Sequence, residues 1–368
     1  MKKILVHVGP PKSGTSAIQK WLSHHRGLLA DQGFYYPEHG VDENGISSGN
    51  VLNIFTAQPD GSLDLDKQKV ESLLLEFEQS SCHTLVLSSE FFFKQMAVLN
   101  ETFPNATFMA YLRFPLDVAE SSYNQGIKRH GETRALGLPA RPRSYQLEIL
   151  ESHIKKIGSE RFILRPYHRD CFVNQSLICD FLHHIGMVLH KDVLASMTNE
   201  QVNTSYTLEA LEFKRWLNQF DISPVQQQLD GFLQGLRQGK SAFSLIPPAK
   251  FSLYKEAFVE NLGDFCHRYE VSDGERFITL CENLKQKAFV KQEIDDATFE
   301  ELFVYLLKKK PGLIPFLTKL FAEATEADVE KYPHRLIIVN KLLSGSLKYW
   351  YLQYKVTNGI KGLLRRFI

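Results

Sequence analysis

Short apolar runs alternate along the first half of the chain with stretches in which apolar residues recur every three or four positions. The runs fall at residues 3–8, 34–36, 84–88, 106–113 and 161–166. They are rich in Val, Ile, Leu, Phe and Tyr, and each predicts a strand. The periodic stretches near 15–30, 66–80, 116–130 and 145–157 predict helices between them. Strands separated by helices predict an α/β fold with a central parallel sheet. In open sheets of this kind a ligand lies beyond the C-terminal ends of the strands. From about residue 207 the pattern is helical, with three-and-four spacing over 207–222 and 250–270. Pro311, Pro315 and Pro333 break the remainder into short helices.

Composition narrows the function classes. A chain of 368 residues, 43% hydrophobic, can bury a large core. The net charge of +1 gives no basic field of the kind that marks nucleic-acid binders. No nucleic-acid partner is expected, and affinity for an anion must come from a local site. The cysteines, Cys82, Cys171, Cys179, Cys266 and Cys281, show no C-x-x-C spacing. Zinc and disulfide frameworks are therefore poorly supported, and reduced thiols in a cytoplasmic protein are expected. The apolar run behind Lys2 and Lys3 stops at Gly9-Pro10-Pro11, too short for a signal peptide. No run reaches the ~18 apolar residues of a membrane-spanning helix. Asn203-Thr204-Ser205 spells a sequon of the kind that arises by chance. His24-His25 and His183-His184 are adjacent pairs, which point to different sides of a helix, and no metal site is expected.

Two segments carry candidate chemistry. In the first, the run 3–8 passes through Gly9-Pro10-Pro11-Lys12-Ser13-Gly14-Thr15-Ser16 into a helical pattern. A strand, a glycine turn and a helix N-terminus make an anion cradle, because backbone N–H groups and the helix dipole both favour negative charge there. Gly9 and Gly14 have the spacing of the nucleotide-triphosphate loop G-x-x-x-x-G-K-[ST]. Thr15 stands where that loop has its lysine, and Lys12 precedes Gly14 instead. In the second segment, Arg113 ends the run 106–113 and is followed by Pro115, Asp117, Ser121 and Tyr123. An arginine at a strand end and a serine on the next helix can converge on one phosphate. The plainer alternative is an Arg113–Asp117 ion pair beside a helix start.

Pro11-Lys12-Ser13-Gly14-Thr15-Ser16 resembles the 5′-phosphosulfate loop P-K-[SA]-G-T-[TS] of sulfotransferases that use 3′-phosphoadenosine-5′-phosphosulfate (PAPS). Arg113 through Ser121 and Tyr123 resembles that family's 3′-phosphate site, R-x-P-x-x-x-x-x-S-x-Y. The resemblance, to bacterial members similar to carbohydrate sulfotransferases, covers residues 1 to about 280. It implies a P-loop-type three-layer fold with a central parallel sheet flanked by helices. Residues 1–284 would form the sulfotransferase-like domain and 285–368 a helical C-terminal extension. It implies PAPS as sulfuryl donor, with Lys12 reaching the bridging oxygen, Ser13, Gly14, Thr15 and Ser16 on the 5′-phosphate, and Arg113 and Ser121 on the 3′-phosphate. Transfer would run in line to a hydroxyl of a carbohydrate or glycan, by positioning and charge stabilisation.

The attacking hydroxyl needs a general base. In carbohydrate sulfotransferases similar to this chain a catalytic Glu follows the second strand, which makes Glu38 the first candidate and His39 the second. Glu90, behind Ser88-Ser89, is the third. That segment also reads as a helix cap with Ser88 or Ser89 as N-cap. His7, inside the first strand, reads as a satisfied core histidine. Arg237 and Lys240 lie in a basic loop that such enzymes close over the 3′-phosphate, and that reads first as a solvated loop. Two other readings stay open: a P-loop nucleotide kinase or hydrolase, with Glu90 as its Mg²⁺ residue, and a non-catalytic nucleotide-binding protein.

The segment 341–368 carries Lys341, Lys348, Lys355, Lys361, Arg365 and Arg366 and no acid, with Trp350, Tyr351 and Tyr354 among them. It reads first as a packed helix with its lysines in water. The second reading is a helix lying on an anionic membrane, a peripheral contact at the inner membrane face.

Overall fold

The computed structural model describes residues 2–40, 48–195, 206–236, 239–346 and 352. Its strands are β1 Lys3–His7, β2 Phe34–Tyr35, β3 Phe55–Ala57, β4 Leu63–Leu65, β5 Thr84–Ser88, β6 Thr107–Leu112 and β7 Phe162–Pro166. The first helices are α1 Thr15–His24, α2 Arg26–Asp31, α3 Val51–Ile54, α4 Lys67–Gln79, α5 Phe92–Thr102, α6 Pro115–Arg129 and α7 Tyr145–Ile157. They are followed by α8 Leu177–His184, α9 Lys191–Ala195, α10 Leu208–Leu217, α11 Gln226–Gln234, α12 Pro248–Arg268 and α13 Gly274–Glu282. The last are α14 Asp296–Lys309, α15 Ile314–Glu323 and α16 Arg335–Ser346.

The chain is an α/β protein with a five-stranded parallel sheet flanked by helices and a helical C-terminal region. The strand order is β2-β5-β1-β6-β7. β1 lies in the middle, paired with β5 from Lys3↔Thr84 to His7↔Ser88 and with β6 from Leu5↔Thr107 to His7↔Met109. The expected strands therefore stand where the apolar runs are. Helix α5 and the antiparallel β3–β4 hairpin are additions to the expected elements.

The chain divides into two compact units. The first comprises Met1–Ala119, Pro139–Val202 and Ala249–Lys285 and holds the sheet. The second comprises Glu120–Leu138, Asn203–Pro248 and Gln286–Ile368. These units do not follow the boundary expected at 284/285: the C-terminal segment shares a unit with 120–138 and 203–248. The reason is visible in its core, where Trp216 of α10 packs on Phe299 and Phe321 of α14 and α15, at ring distances of 4.9 and 5.8 Å. Apolar faces of α14 and α15 are covered by α10, a helix from earlier in the chain.

In the first unit the alternation of strand side chains sends Leu5, Val86, Met109 and Tyr111 to one face, where Ile18 and Leu22 of α1 and Phe181 and Leu182 of α8 cover them. Val6, Leu85, Leu87, Phe108 and Ala110 point the other way and are also fully buried. Burial on both faces is what makes these strands read as continuous apolar runs. A charged pair sits inside this unit. Arg165 of β7, 2% exposed, donates to Asp180 of α8, to Asp273 and to the Cys171 and Ser272 carbonyls. Tyr111 adds a hydroxyl bond of 3.0 Å to Asp180.

Among the described residues no helix is long and apolar enough to cross a membrane. Of the basic C-terminal segment, Lys341 is exposed on α16 and Leu352 is exposed; Lys348, Lys355, Lys361, Arg365 and Arg366 lie outside the described residues. Arg237 and Asn203 also lie outside them.

Candidate functional site

The loop 9–14 leaves the end of β1 and enters α1. Its backbone bends through two glycines with positive φ, Gly9 at 24° and Gly14 at 82°, and through Lys12 at 71°. A lysine in the left-handed region costs about 1–2 kcal/mol and persists only where neighbours fix it. The neighbours are specific. Arg113 Nη1 donates to the Lys12 carbonyl at 2.6 Å, and Gln146 Nε2 donates to the Pro11 carbonyl at 2.7 Å. The Pro10 carbonyl accepts from the Ser13 hydroxyl at 2.6 Å and from the Ser13 N–H at 3.2 Å. Carbonyls along the loop are thus occupied by donors from the protein. Gly14 is covered closely. A Cβ there would stand 2.3 Å from Leu177 Cδ2 and 2.9 Å from Tyr167 Cε2.

Helix α1 begins at Thr15 without a side-chain cap and without an acid in its first turn. The first N–H groups of a helix have no intrahelical acceptor, and an anion satisfies them. The loop residues Pro11, Lys12 and Gly14 are partly exposed, Ser16 is exposed, and Ser13 and Thr15 are buried. The Ser13 hydroxyl is committed to Pro10, whereas Thr15 Oγ1 reaches the Gly9 carbonyl only at 3.5 Å. The structure therefore brings together Lys12, Ser13, Gly14, Thr15, Ser16 and Arg113 as one local assembly. The Arg113 guanidinium also lies over the Tyr167 ring at 5.1 Å. Ser121 is on α6, whose first turn holds Asp117; it falls in the second unit.

The three strand ends beside the loop are tied to one another. Ser88, the last residue of β5, is at the centre. Its Oγ meets His7 Nδ1 at 2.8 Å, its N–H donates to Asn50 Oδ1 at 3.0 Å, and its carbonyl accepts from Gln19 Nε2 at 3.0 Å and from Asn50 N–H at 3.1 Å. Asn50 also donates to the Pro37 carbonyl at 3.1 Å, behind β2. The exits of β1, β2 and β5 are thereby one buried polar network.

The three candidate bases differ in setting. Glu38 is paired with Arg26 at 3.1 Å, and its side chain is 79% exposed. His39 takes a hydrogen bond from the Tyr36 hydroxyl at Nε2, 2.9 Å, and donates from Nδ1 to the Gly40 carbonyl, 3.3 Å. Burial lowers its pKa, so it is a neutral imidazole with both nitrogens engaged. Glu90 stands in the turn two residues beyond Ser88, where the strand paired directly with β1 ends. β2, which leads to Glu38 and His39, is one strand farther out. The expected cap at Ser88-Ser89 takes another form. Ser89 Oγ accepts from the Phe91 N–H at 3.2 Å and donates to the Ser48 carbonyl, while α5 starts after Phe91 with no side-chain cap.

Comparison with known proteins adds little. No family model matches the chain, and no curated protein does. Among solved structures it is similar to the crystal structure of a sulfotransferase from Alicyclobacillus acidocaldarius, with a TM-score of 0.36 at 13% identity, over 74% of this chain and 97% of that one. A likeness of that extent says nothing of activity, and the functional reading of this chain rests on the loop itself.

Sequence reasoning missed Gln146 and Asn50 and gave Tyr167 no particular role. Each acts through a contact that only the folded path creates. His7 is a correction. It is a core histidine, as expected, but a half-satisfied one, because among the described residues Nε2 is buried without a hydrogen-bond partner. Among the described residues no cluster of His, Cys, Asp and Glu could hold a metal ion. Lys240 is exposed, with its N–H on Glu209 at 3.0 Å.

Proposed function

We propose that this chain is a sulfotransferase that moves the sulfuryl group of PAPS to a hydroxyl, with a carbohydrate or glycan as acceptor. The observation that carries the reading is the 2.6 Å bond from Arg113 to the carbonyl of Lys12, which joins the two motifs across the sheet's central strands. The residues fit the donor. The uncapped α1 N-terminus, with Ser13, Gly14, Thr15 and Ser16, suits a 5′-phosphate. Lys12 supplies a cation from the same loop, and Arg113 suits the 3′-phosphate; Ser121 is carried by the motif resemblance alone. When bound, PAPS supplies an activated sulfuryl group.

The chain's own contribution is positioning and fixed charge. Lys12 offsets the negative charge that builds on the leaving side. A carboxylate or imidazole takes the proton of the acceptor hydroxyl. Glu38, His39 and Glu90 are the candidates, and the strand order favours Glu90, since its strand pairs with β1 directly. Cytoplasmic placement and a peripheral membrane contact through 341–368 belong to the same proposal.

The test is thermal unfolding of the purified protein with adenosine 3′,5′-bisphosphate, with ATP and Mg²⁺, and with AMP. A ligand at ~100 times its dissociation constant adds about 2.7 kcal/mol. Stabilisation by the bisphosphate, lost in Arg113→Ala, supports the reading. Stabilisation by ATP and Mg²⁺ alone replaces it with a kinase or hydrolase. Bisphosphate binding without sulfation of any glycan in a broad panel points to a non-catalytic binding protein.

A further inference from the structure

The His7 imidazole is fully buried on the β1 face that meets Phe181 and Tyr111, at ring distances of 5.3 and 6.0 Å. Nδ1 is held by Ser88 Oγ, and Nε2 has no partner among the described residues. A buried polar atom left unpaired costs about 1–3 kcal/mol, so its place in the strand needs a reason. Burial pushes the imidazole pKa down to about 3, which keeps the ring neutral. One nitrogen then carries a hydrogen and the other accepts.

The unpaired nitrogen faces the loop. A Cβ on Gly9 would stand 3.0 Å from His7 Nε2 and 2.2 Å from Thr15 Oγ1. The Thr15 hydroxyl is itself poorly held, with the Gly9 carbonyl at 3.5 Å, the outer edge of a hydrogen bond. A nitrogen without a partner and a hydroxyl with a weak one thus crowd the same point, and the bare glycine is what leaves that point open.

We propose that His7 becomes a positioning residue for Thr15 when an anion occupies the loop: Ser88 Oγ–H donates to Nδ1, Nε2–H, which has no acceptor among the described residues of the empty loop, closes on Thr15 Oγ1 as that hydroxyl leaves the Gly9 carbonyl, and the Thr15 O–H donates to the anion. The inference rests on reading the loop as the 5′-phosphate site. The direction of the relay follows from proton counting. A threonine oxygen that accepts from the imidazole keeps its single proton for the ligand. In the opposite tautomer Nε2 would take that proton and turn it away from the loop. Hydrogen bonds in series polarise one another, so the last donor is strengthened.

The test uses the full chain and the variants His7→Phe, His7→Gln, Thr15→Val and the double variant His7→Phe/Thr15→Val. Adenosine 3′,5′-bisphosphate and inorganic pyrophosphate are titrated calorimetrically, and the His7 ring nitrogens are read by ¹⁵N NMR. The expected spectrum is a neutral ring with hydrogen on Nε2. His7→Phe and Thr15→Val are each expected to weaken binding about tenfold, the size of one hydrogen bond to a charged group. The double variant should bind no more weakly than Thr15→Val alone, because both changes remove one interaction. His7→Gln, whose amide can reach the same point, should recover part of the loss. Additive losses, hydrogen on Nδ1, or unchanged binding by His7→Phe would overturn the relay. Should His7→Phe fail to fold, the tautomer and His7→Gln decide. Coupled losses for pyrophosphate, with no bisphosphate binding by the unmodified protein, would keep the relay and remove the sulfotransferase reading. Uncoupled losses for a bisphosphate that does bind would do the reverse. Binding of neither probe overturns both.

Discussion

Arg113 and Lys12 are 101 residues apart in the chain and joined by one hydrogen bond, from the guanidinium Nη1 to the lysine carbonyl at 2.6 Å. The bond fixes the carbonyl of a residue at φ 71°. Arg113 therefore has two tasks in the proposed enzyme: it shapes the phosphosulfate loop and it meets the 3′-phosphate. Lys12 has one, as the cation on the leaving side. Arg113→Ala is expected to weaken adenosine 3′,5′-bisphosphate binding by one to two orders of magnitude, from the loss of charge-assisted bonds of about 1.5–3 kcal/mol. Lys12→Ala should lose less affinity and all turnover. Calorimetric titration beside a sulfation assay checks this, and equal losses of both properties in both variants would contradict the division.

The strain at Lys12 makes a separate prediction. Lys12→Gly removes the side chain and lets the backbone adopt φ 71° freely, whereas Lys12→Ala removes the side chain and keeps the strain. Lys12→Gly should therefore be more stable than Lys12→Ala by about 1 kcal/mol, although both lack the cation. Urea unfolding of the two variants measures the difference. No difference, or the opposite sign, would mean that the loop relaxes in the alanine variant.

Two glycines with positive φ separate conformation from close approach. Gly61 has φ 82° and open space around it, so Gly61→Ala should cost about 1 kcal/mol, the backbone penalty alone. Gly49 has φ 64°, and a Cβ there would stand 1.9 Å from the backbone oxygen of Ser88. Gly49→Ala must displace the strand end that Asn50, Gln19 and His7 all grip. Its cost should exceed that of Gly61→Ala by about 1–3 kcal/mol, the range for overpacking, and bisphosphate binding should fall with it. Equal melting temperatures for the two variants would show that Ser88 can move.

Acid should act on His7 with a definite sign. Its pKa is lowered from 6.5 to about 3 by burial, so below pH 6.5 the unfolded chain takes up a proton that the folded chain refuses. This group leaves stability untouched above pH 6.5 and removes ~1.4 kcal/mol for each pH unit below it, down to about pH 3. The stability of His7→Gln should decline less steeply over about pH 6.5 to 4.5, by close to one proton's worth of slope. Denaturant unfolding across that range checks it; parallel slopes would mean that His7 is solvated.

Asp180 holds a buried arginine. Arg165 is 2% exposed and Asp180 fully buried, and they meet at 2.8 Å. Asp180→Ala should destabilise the fold by about 3 kcal/mol, since it leaves the buried guanidinium with only the partly exposed Asp273 as counter-ion, while Arg165→Met/Asp180→Leu together should recover most of that. Melting curves of the single and double variants decide; a double variant as weak as the single would show that the Tyr111 and Cys171 contacts dominate.

Much of the fold was legible from the sequence where local pattern and tertiary outcome agree. β1, β5 and β6 are buried on both faces, so their apolar runs mark them plainly. The loop 9–16 was legible because glycine spacing and lysine placement are local chemistry. Helix α5 was not, because Phe91-Phe92-Phe93 continues the apolar look of β5, and the turn between them is made by Ser89 reaching Ser48 far back in the chain. The β3–β4 hairpin has strands of three residues, too short for an alternation to register. Gln146 was hidden for a similar reason, since nothing on its own helix says that its amide will meet Pro11. His7 was misjudged because a sequence shows that a histidine is buried among strands but not how many of its nitrogens find partners.

The interleaving of the two units has a consequence for how the molecule is made. The sheet-bearing unit ends only at Lys285, and before that point the chain has already left it twice, for Glu120–Leu138 and for Asn203–Pro248. A ribosome releasing this chain from its N-terminus cannot complete the first unit until the helices Pro248–Arg268 and Gly274–Glu282 have emerged. The anion loop is synthesised before Arg113 and Gln146 and must wait for both, and for the finished core that backs them. Each unit is assembled from three separate stretches, so no single truncation yields either of them whole.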